Sequence, residues 1–82
     1  MLTADEVKVR MTANIAELLD RPVEEIDPAA DFGDYGLDSA DAVLLAGALE
    51  EILDREVEPT ILLRHRTLTG LIDELTSAGM VG

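Results

Sequence analysis

Cysteine is absent from all 82 residues, and with it go disulfides, thiolate metal sites and any thiol nucleophile of the chain's own. Thiol chemistry, if there is any, must be imported. Aromatic residues make up only 2% of the chain, so the core has to be built from Leu, Ile, Val, Met and Ala, a palette that suits packed helices better than strands. Basic residues are scarce as well. Six Lys and Arg stand against 18 Asp and Glu, and the resulting net charge of −12 repels a nucleic-acid backbone and an anionic membrane alike. The same charge steers the chain toward proteins with basic patches, speeding encounter more than tightening it. No apolar run is long enough to span a bilayer, and residues 1–20 lack a basic segment followed by an apolar one, so a cytoplasmic location is expected.

The length allows one small domain, 1–82, which buries roughly 60% of its unfolded surface and has little core to spare for a deep catalytic cleft. The expected fold is all-α: a small bundle of three principal helices plus one short helix, with a long loop between helices one and two. Thr3 and Glu6 read as a capping box opening a helix over 3–19, with Val7, Met11, Ile15 and Leu18 on one face. Pro22 disfavours helical geometry at Arg21, which puts the stop near Asp20. The stretch 20–38 exceeds the usual connection length. Val23, Ile26, Phe32 and Leu37 are expected to pin it to the core, with one helical turn near 22–26 and with Gly33 and Gly36 supplying unusual backbone angles. Further on, Pro59 suits the first position of a short helix through Arg64, with Val57, Ile61 and either Leu62 or Leu63 reaching the core. Thr67 caps a last helix whose stripe is Leu68, Leu71, Ile72 and Leu75, and Gly79 stops it.

The second helix, over about 39–54, carries apolar residues on two faces. Ala42, Leu45, Ala46, Leu49, Ile52 and Leu53 form the core stripe. At roughly 100° per residue, Ala40, Leu44 and Gly47 point the other way, with Val43 between the faces and Glu50 and Glu51 bordering the patch. A few exposed apolar residues are ordinary. An outward glycine inside a helix is less so, because it costs about 1 kcal/mol relative to Ala, and it points to something that approaches closely there.

Ser39 opens this helix, and the sequence offers it no means of activation. His65, the single histidine, lies in the basic run Arg64, His65, Arg66 and reads as a surface residue. Asp38 is adjacent but is a weak base toward an alcohol, and no nucleophile elbow or oxyanion-hole motif accompanies the serine. Two readings of Ser39 stay open: a helix N-cap, or, if Asp38 takes that post, a hydroxyl left available for a covalent group that the positive helix end would favour as an anion. Asp27, Asp31, Asp34, Asp38 and Asp41 recur every three or four residues but miss the spacing of a calcium loop, so no metal site is expected. Capping the helix, solvating the loop and attracting basic partners suit them better.

Phe32, Tyr35, Gly36, Leu37, Asp38, Ser39 and the helix after them resemble the acyl carrier protein family, and the likeness covers nearly the whole chain. It includes the long loop, Leu45 and Leu49 in helix two, Leu63 in the short helix, and Thr67 with Leu68 opening the last one. The resemblance implies that Ser39 carries 4'-phosphopantetheine taken from coenzyme A by a phosphopantetheinyl transferase. It also implies that acyl or polyketide intermediates are held on the arm's thiol as thioesters and shuttled between partner enzymes. Those partners would be a ketosynthase, an acyltransferase or an acyl-activating ligase with basic docking patches. The docking surface implied is Leu37, Asp38, Ala40, Asp41, Val43, Leu44, Gly47, Glu50 and Glu51 on a monomer that is not itself an enzyme.

Three positions depart from fatty-acid carriers: Ala40 where Leu or Met is usual, Leu44 where an acid is common, and Gly47 where a larger apolar residue is common. Arg66 stands where modular polyketide carriers often have proline. The first three departures imply partners other than those of a standard fatty-acid carrier, and the run Gly36, Leu37, Asp38, Ser39 resembles the polyketide and fatty acyl type more than the peptidyl type. Met1 with a domain that fills the chain favours a stand-alone carrier in a specialised, polyketide-type pathway. An aminoacyl or peptidyl carrier and a primary fatty-acid carrier are the near alternatives. An unmodified helical interaction module is the alternative of another class, and a small hydrolase is disfavoured for want of a base.

Overall fold

Four helices and two short 3-10 turns make up the computed structural model, which describes residues 2–58 and 60–82. Helix α1 is Ala4–Leu19, α2 is Ser39–Leu53, α3 is Ile61–Arg64 and α4 is Leu68–Ser77. Pro59, expected to open the short helix, lies outside the described residues. No strand occurs among the described residues, as the composition required.

Each long helix begins where its side chains satisfy the first free N–H groups. Thr3 and Glu6 form the capping box of α1, and the Thr67 hydroxyl accepts the Gly70 N–H of α4 at 3.1 Å. Helix α1 ends as Asp20 turns left-handed, with φ 55, and the Arg21 N–H donates to the Ala16 carbonyl at 2.9 Å. Asp54 ends α2 in the same way with φ 53. Aspartate tolerates this region better than most residues, so neither stop needs a glycine.

The core runs through the middle of the bundle. Val7, Met11 and Ile15 of α1, Leu45 and Leu49 of α2, and Leu68, Leu71 and Leu75 of α4 are nearly or fully buried. Helix α1 packs on α2 and α4, and α2 packs on α3. Ala42, Ile52 and Leu53 flank this core half-buried. Of the two candidates in the short helix Leu62 is buried and Leu63 is exposed.

Three expectations about the packing need correction. Leu18 is 38% exposed, because the end of α1 turns Ala16 and Leu19 toward the core instead. Val23 lies in the 3-10 turn Val23–Glu25 with its side chain outward, so among the first loop residues Ile26 alone is buried. Gly33 does not supply a left-handed angle; it sits inside a second 3-10 turn, Phe32–Tyr35, and only Gly36 of the pair has a positive φ, 76. Gly33 is small for another reason: a Cβ there would come within 3.0 Å of the Asp31 carboxylate.

The loop is held down mainly by its backbone. The Phe32 N–H donates to the Arg66 carbonyl at 2.7 Å, and the Thr69 N–H and hydroxyl both donate to the Pro28 carbonyl. Tyr35 adds a side-chain tie, its hydroxyl accepting the Asp27 N–H at 2.7 Å. The C-terminal tail returns over α1. Val81 is buried, and the Gly82 N–H donates to the Leu2 carbonyl at 2.9 Å.

Candidate functional site

The loop delivers the chain to α2 through Gly36, whose positive φ reverses direction just ahead of Leu37 and Asp38. Asp38 then takes the N-cap. Its carboxylate accepts the Asp41 N–H at 3.0 Å, and the Asp41 carboxylate accepts the Asp38 N–H, also at 3.0 Å. This reciprocal pair removes the cap duty from Ser39, which becomes the first residue of the helix and is exposed. Among the described residues no hydrogen bond engages its hydroxyl.

That hydroxyl has no base of its own. The Asp41 N–H, followed by the Asp41 side chain and the Ala40 N–H, holds the Asp38 carboxyl below the usual carboxylate range, which weakens it further as a proton acceptor. His65 is engaged elsewhere, with Nε2 2.8 Å from Glu74 Oε1 at the junction of α3 and α4. The basic run read as one surface patch is thus divided. Arg64 and His65 hold Glu74, and Arg66 holds Asp31 through Nε at 2.7 Å. The loop acids act as caps and turns: Asp27 accepts the Ala29 N–H, and Asp31 that of Gly33. Among the described residues no group of acids and histidines is placed to hold a metal ion.

Beyond Ser39, the outer face of α2 is as the periodicity required. Ala40, Val43, Leu44, Gly47 and Glu51 are exposed, Val43 at 58% and Leu44 at 61%. A Cβ added to Gly47 would meet nothing within 4 Å, so the fold imposes no glycine there. Asp41 and Glu50 are half-buried at the margin of this face. Leu37 is set apart from it: half-buried, it lines a half-open cavity on the other side of the helix.

That cavity, of about 200 Å³, was not legible from the sequence. Phe32, Leu37, Ala42, Leu45, Leu62 and Leu63 give it apolar walls. Asp31, Asp38 and Arg66 supply the charged ones. Three separate segments build it, and the Asp31–Arg66 pair joins residues 35 apart, a spacing with no local signature. Ser39 does not itself line the cavity; it stands between Asp38 and Ala42, which do, with Ala42 one turn further along α2, so the serine lies at the cavity's edge. Such a site can bear a group, and among the described residues no hydrogen bond joins the serine to a base.

Comparison with known proteins agrees with this chemistry. Residues 10–75 match the family model described as a phosphopantetheine attachment site. A phenolphthiocerol/phthiocerol polyketide synthase subunit of Mycobacterium tuberculosis is 42% identical over 48 residues, 58% of this chain and 3% of that protein. The chain therefore corresponds to a small part of that relative. Among solved structures, a free-standing peptidyl carrier protein from Acinetobacter baumannii superposes with a TM-score of 0.82 at 32% identity, over 93% of this chain and 95% of that one. BlmI, a type-II acyl carrier protein from Streptomyces verticillus involved in bleomycin biosynthesis, superposes with a TM-score of 0.80 at 28% identity, over 92% and 88% of the two chains. The chain belongs to the phosphopantetheine-binding family of acyl and peptidyl carrier proteins.

Proposed function

We propose that residues 1–82 form one carrier unit, that Ser39 is its attachment site, and that it serves a polyketide-type pathway. The single observation that carries the site is the Asp38–Asp41 capping pair, which leaves the Ser39 hydroxyl exposed and without a hydrogen-bond partner at the positive end of α2. These residues fit a phosphodiester: the serine supplies the oxygen, and the helix end offsets part of the added negative charge. Attachment forms the Ser39 Oγ–P bond, breaks the pyrophosphate of coenzyme A, releases the adenosine bisphosphate half and passes the serine proton to the transferase. When bound, the arm supplies the thiol that the chain lacks and holds the cargo as a thioester. The chain itself performs no catalytic step. Asp38 keeps Ser39 clear, and the outer face formed by Ala40, Val43, Leu44, Gly47, Glu50 and Glu51 docks and releases successive partners. A transferase, a ketosynthase and an acyltransferase or acyl-activating ligase with basic patches are the partners this surface suits.

Intact mass after incubation with coenzyme A and a broad-specificity phosphopantetheinyl transferase tests the reading. The chain is expected to gain one phosphopantetheinyl group and Ser39→Ala none. An unmodified chain beside a modified control carrier overturns the function, and a gain that persists in Ser39→Ala overturns the site. The likeness to the Acinetobacter protein favours a peptidyl carrier as the second reading. Loading of the modified chain by an aminoacyl-activating enzyme, but by no acyltransferase, decides for it.

A further inference from the structure

Among the described residues Arg66 is the only cation lining the cavity beside Ser39, and its side chain does little for the fold. It is 75% exposed, and an ion pair that open to water contributes little to stability. The loop is already tied at this point by the Phe32 N–H on the Arg66 carbonyl and by Thr69 on Pro28. Asp31 engages Nε at 2.7 Å and one Nη only loosely, at 3.4 Å. The guanidinium has five N–H donors, so three remain. Acids crowd the same end of the molecule: Asp31 and Asp38 line the cavity, Asp34 lies near enough to act on Arg66, and Asp41 completes the capping box of Asp38. A phosphodiester at Ser39 would add one more negative charge to this group.

The cavity walls suit the part of the arm next to that charge. An engineered apolar cavity of about 150 Å³ holds benzene, so about 200 Å³ takes a compact branched group but no long chain. In 4'-phosphopantetheine the phosphate is followed, after one methylene, by a quaternary carbon bearing two methyl groups. An anion and then a compact apolar branch is the order in which Arg66 and the walls of Phe32, Leu37 and Leu62 could receive them.

Resting on the attachment at Ser39 proposed above, the geometry points to Arg66 as an arm-positioning residue: tethered by Asp31, it directs its unused donors to the arm's phosphodiester, and the dimethyl branch lodges in the cavity. The arm's root is then held against the α3 side of α2, away from the outer face formed by Val43, Leu44 and Gly47.

The test uses isotope-labelled chain loaded from unlabelled coenzyme A, with loading checked by mass. In the loaded wild type, the Arg66 Nε–H signal is expected to shift, and filtered NOE spectra to connect the arm's methyl protons with methyls of Leu37 and Leu62. Arg66→Gln should still gain the arm's mass but lose these NOEs, whereas Asp31→Asn, which removes the acid's charge but keeps the cation and an oxygen to hold its Nε, should retain them. Full loading with shifts confined to residues 38–42 and no NOEs overturns the inference while leaving the attachment intact. So does equal loss in both variants, which would make the pair merely structural. An unchanged mass instead overturns the attachment, and this inference falls with it.

Discussion

Gly47 is the residue on which the fold and the proposed docking pull in opposite directions. It lies inside α2, where glycine costs about 1 kcal/mol relative to Ala, and a Cβ there meets nothing within 4 Å. Gly47→Ala is therefore expected to stabilise the chain by about 0.5–1 kcal/mol, read as a higher urea midpoint at unchanged slope. If a partner backbone approaches this spot, the same variant is modified with a lower kcat/KM by the transferase. A stabilised variant modified at the wild-type rate would remove Gly47 from the surface that the transferase uses. Much of this was legible in the chain: a two-faced helix with an outward glycine is read from spacing alone. Leu18 was not, because a helix end can rotate a flanking residue off the stripe at little cost, and here Ala16 and Leu19 took its place.

At the scale of elements, α4 shows how much depends on a cap. Its ten residues are too few to be stable alone, so Leu68, Leu71, Ile72 and Leu75 hold it through packing, and Thr67 satisfies its first turn. Thr67→Ala is expected to cost about 1 kcal/mol of stability, read from urea unfolding, with the α4 amides exchanging hydrogen faster than those of α1. Uniform acceleration would mean that the cap serves the whole fold and not this helix. The three long helices were legible because each buries a periodic stripe and opens on a capping residue. The 3-10 turn Phe32–Tyr35, the Tyr35 tie to Asp27 and the Asp31–Arg66 pair were not, since contacts between a loop and a distant segment leave no period in the sequence. The cavity shares that origin, so a serine opening α2 could be read from sequence while the cavity beside it could not.

At the scale of the whole molecule, charge and size set the response to salt and acid. The chain measures 30 × 24 × 19 Å and carries −12. The Debye length is about 30 Å at 0.01 M ionic strength and about 8 Å at 0.15 M, so at low salt every acid feels every other, whereas at physiological salt only neighbours interact. The ion pairs of Arg64 with Glu74 and of Arg66 with Asp31 are partly open to water and contribute little to stability, so screening them has little to remove. Relief of self-repulsion therefore outweighs that loss, and raising the salt at neutral pH is expected to raise the melting temperature. Acid acts differently. His65 and Arg64 hold the Glu74 carboxyl below its usual range, Arg66 holds that of Asp31, and the Asp41 N–H that of Asp38. Such groups bind protons more readily in the unfolded chain, so their contribution is complete above the ordinary carboxylate range and is lost as pH falls through the lowered native values. Melting curves across pH at the two salt concentrations separate the effects: the benefit of salt should fade on acidification as the acids are neutralised, and stability should fall at both concentrations. A salt benefit that persists unchanged in acid would show that screening of net charge is not its cause.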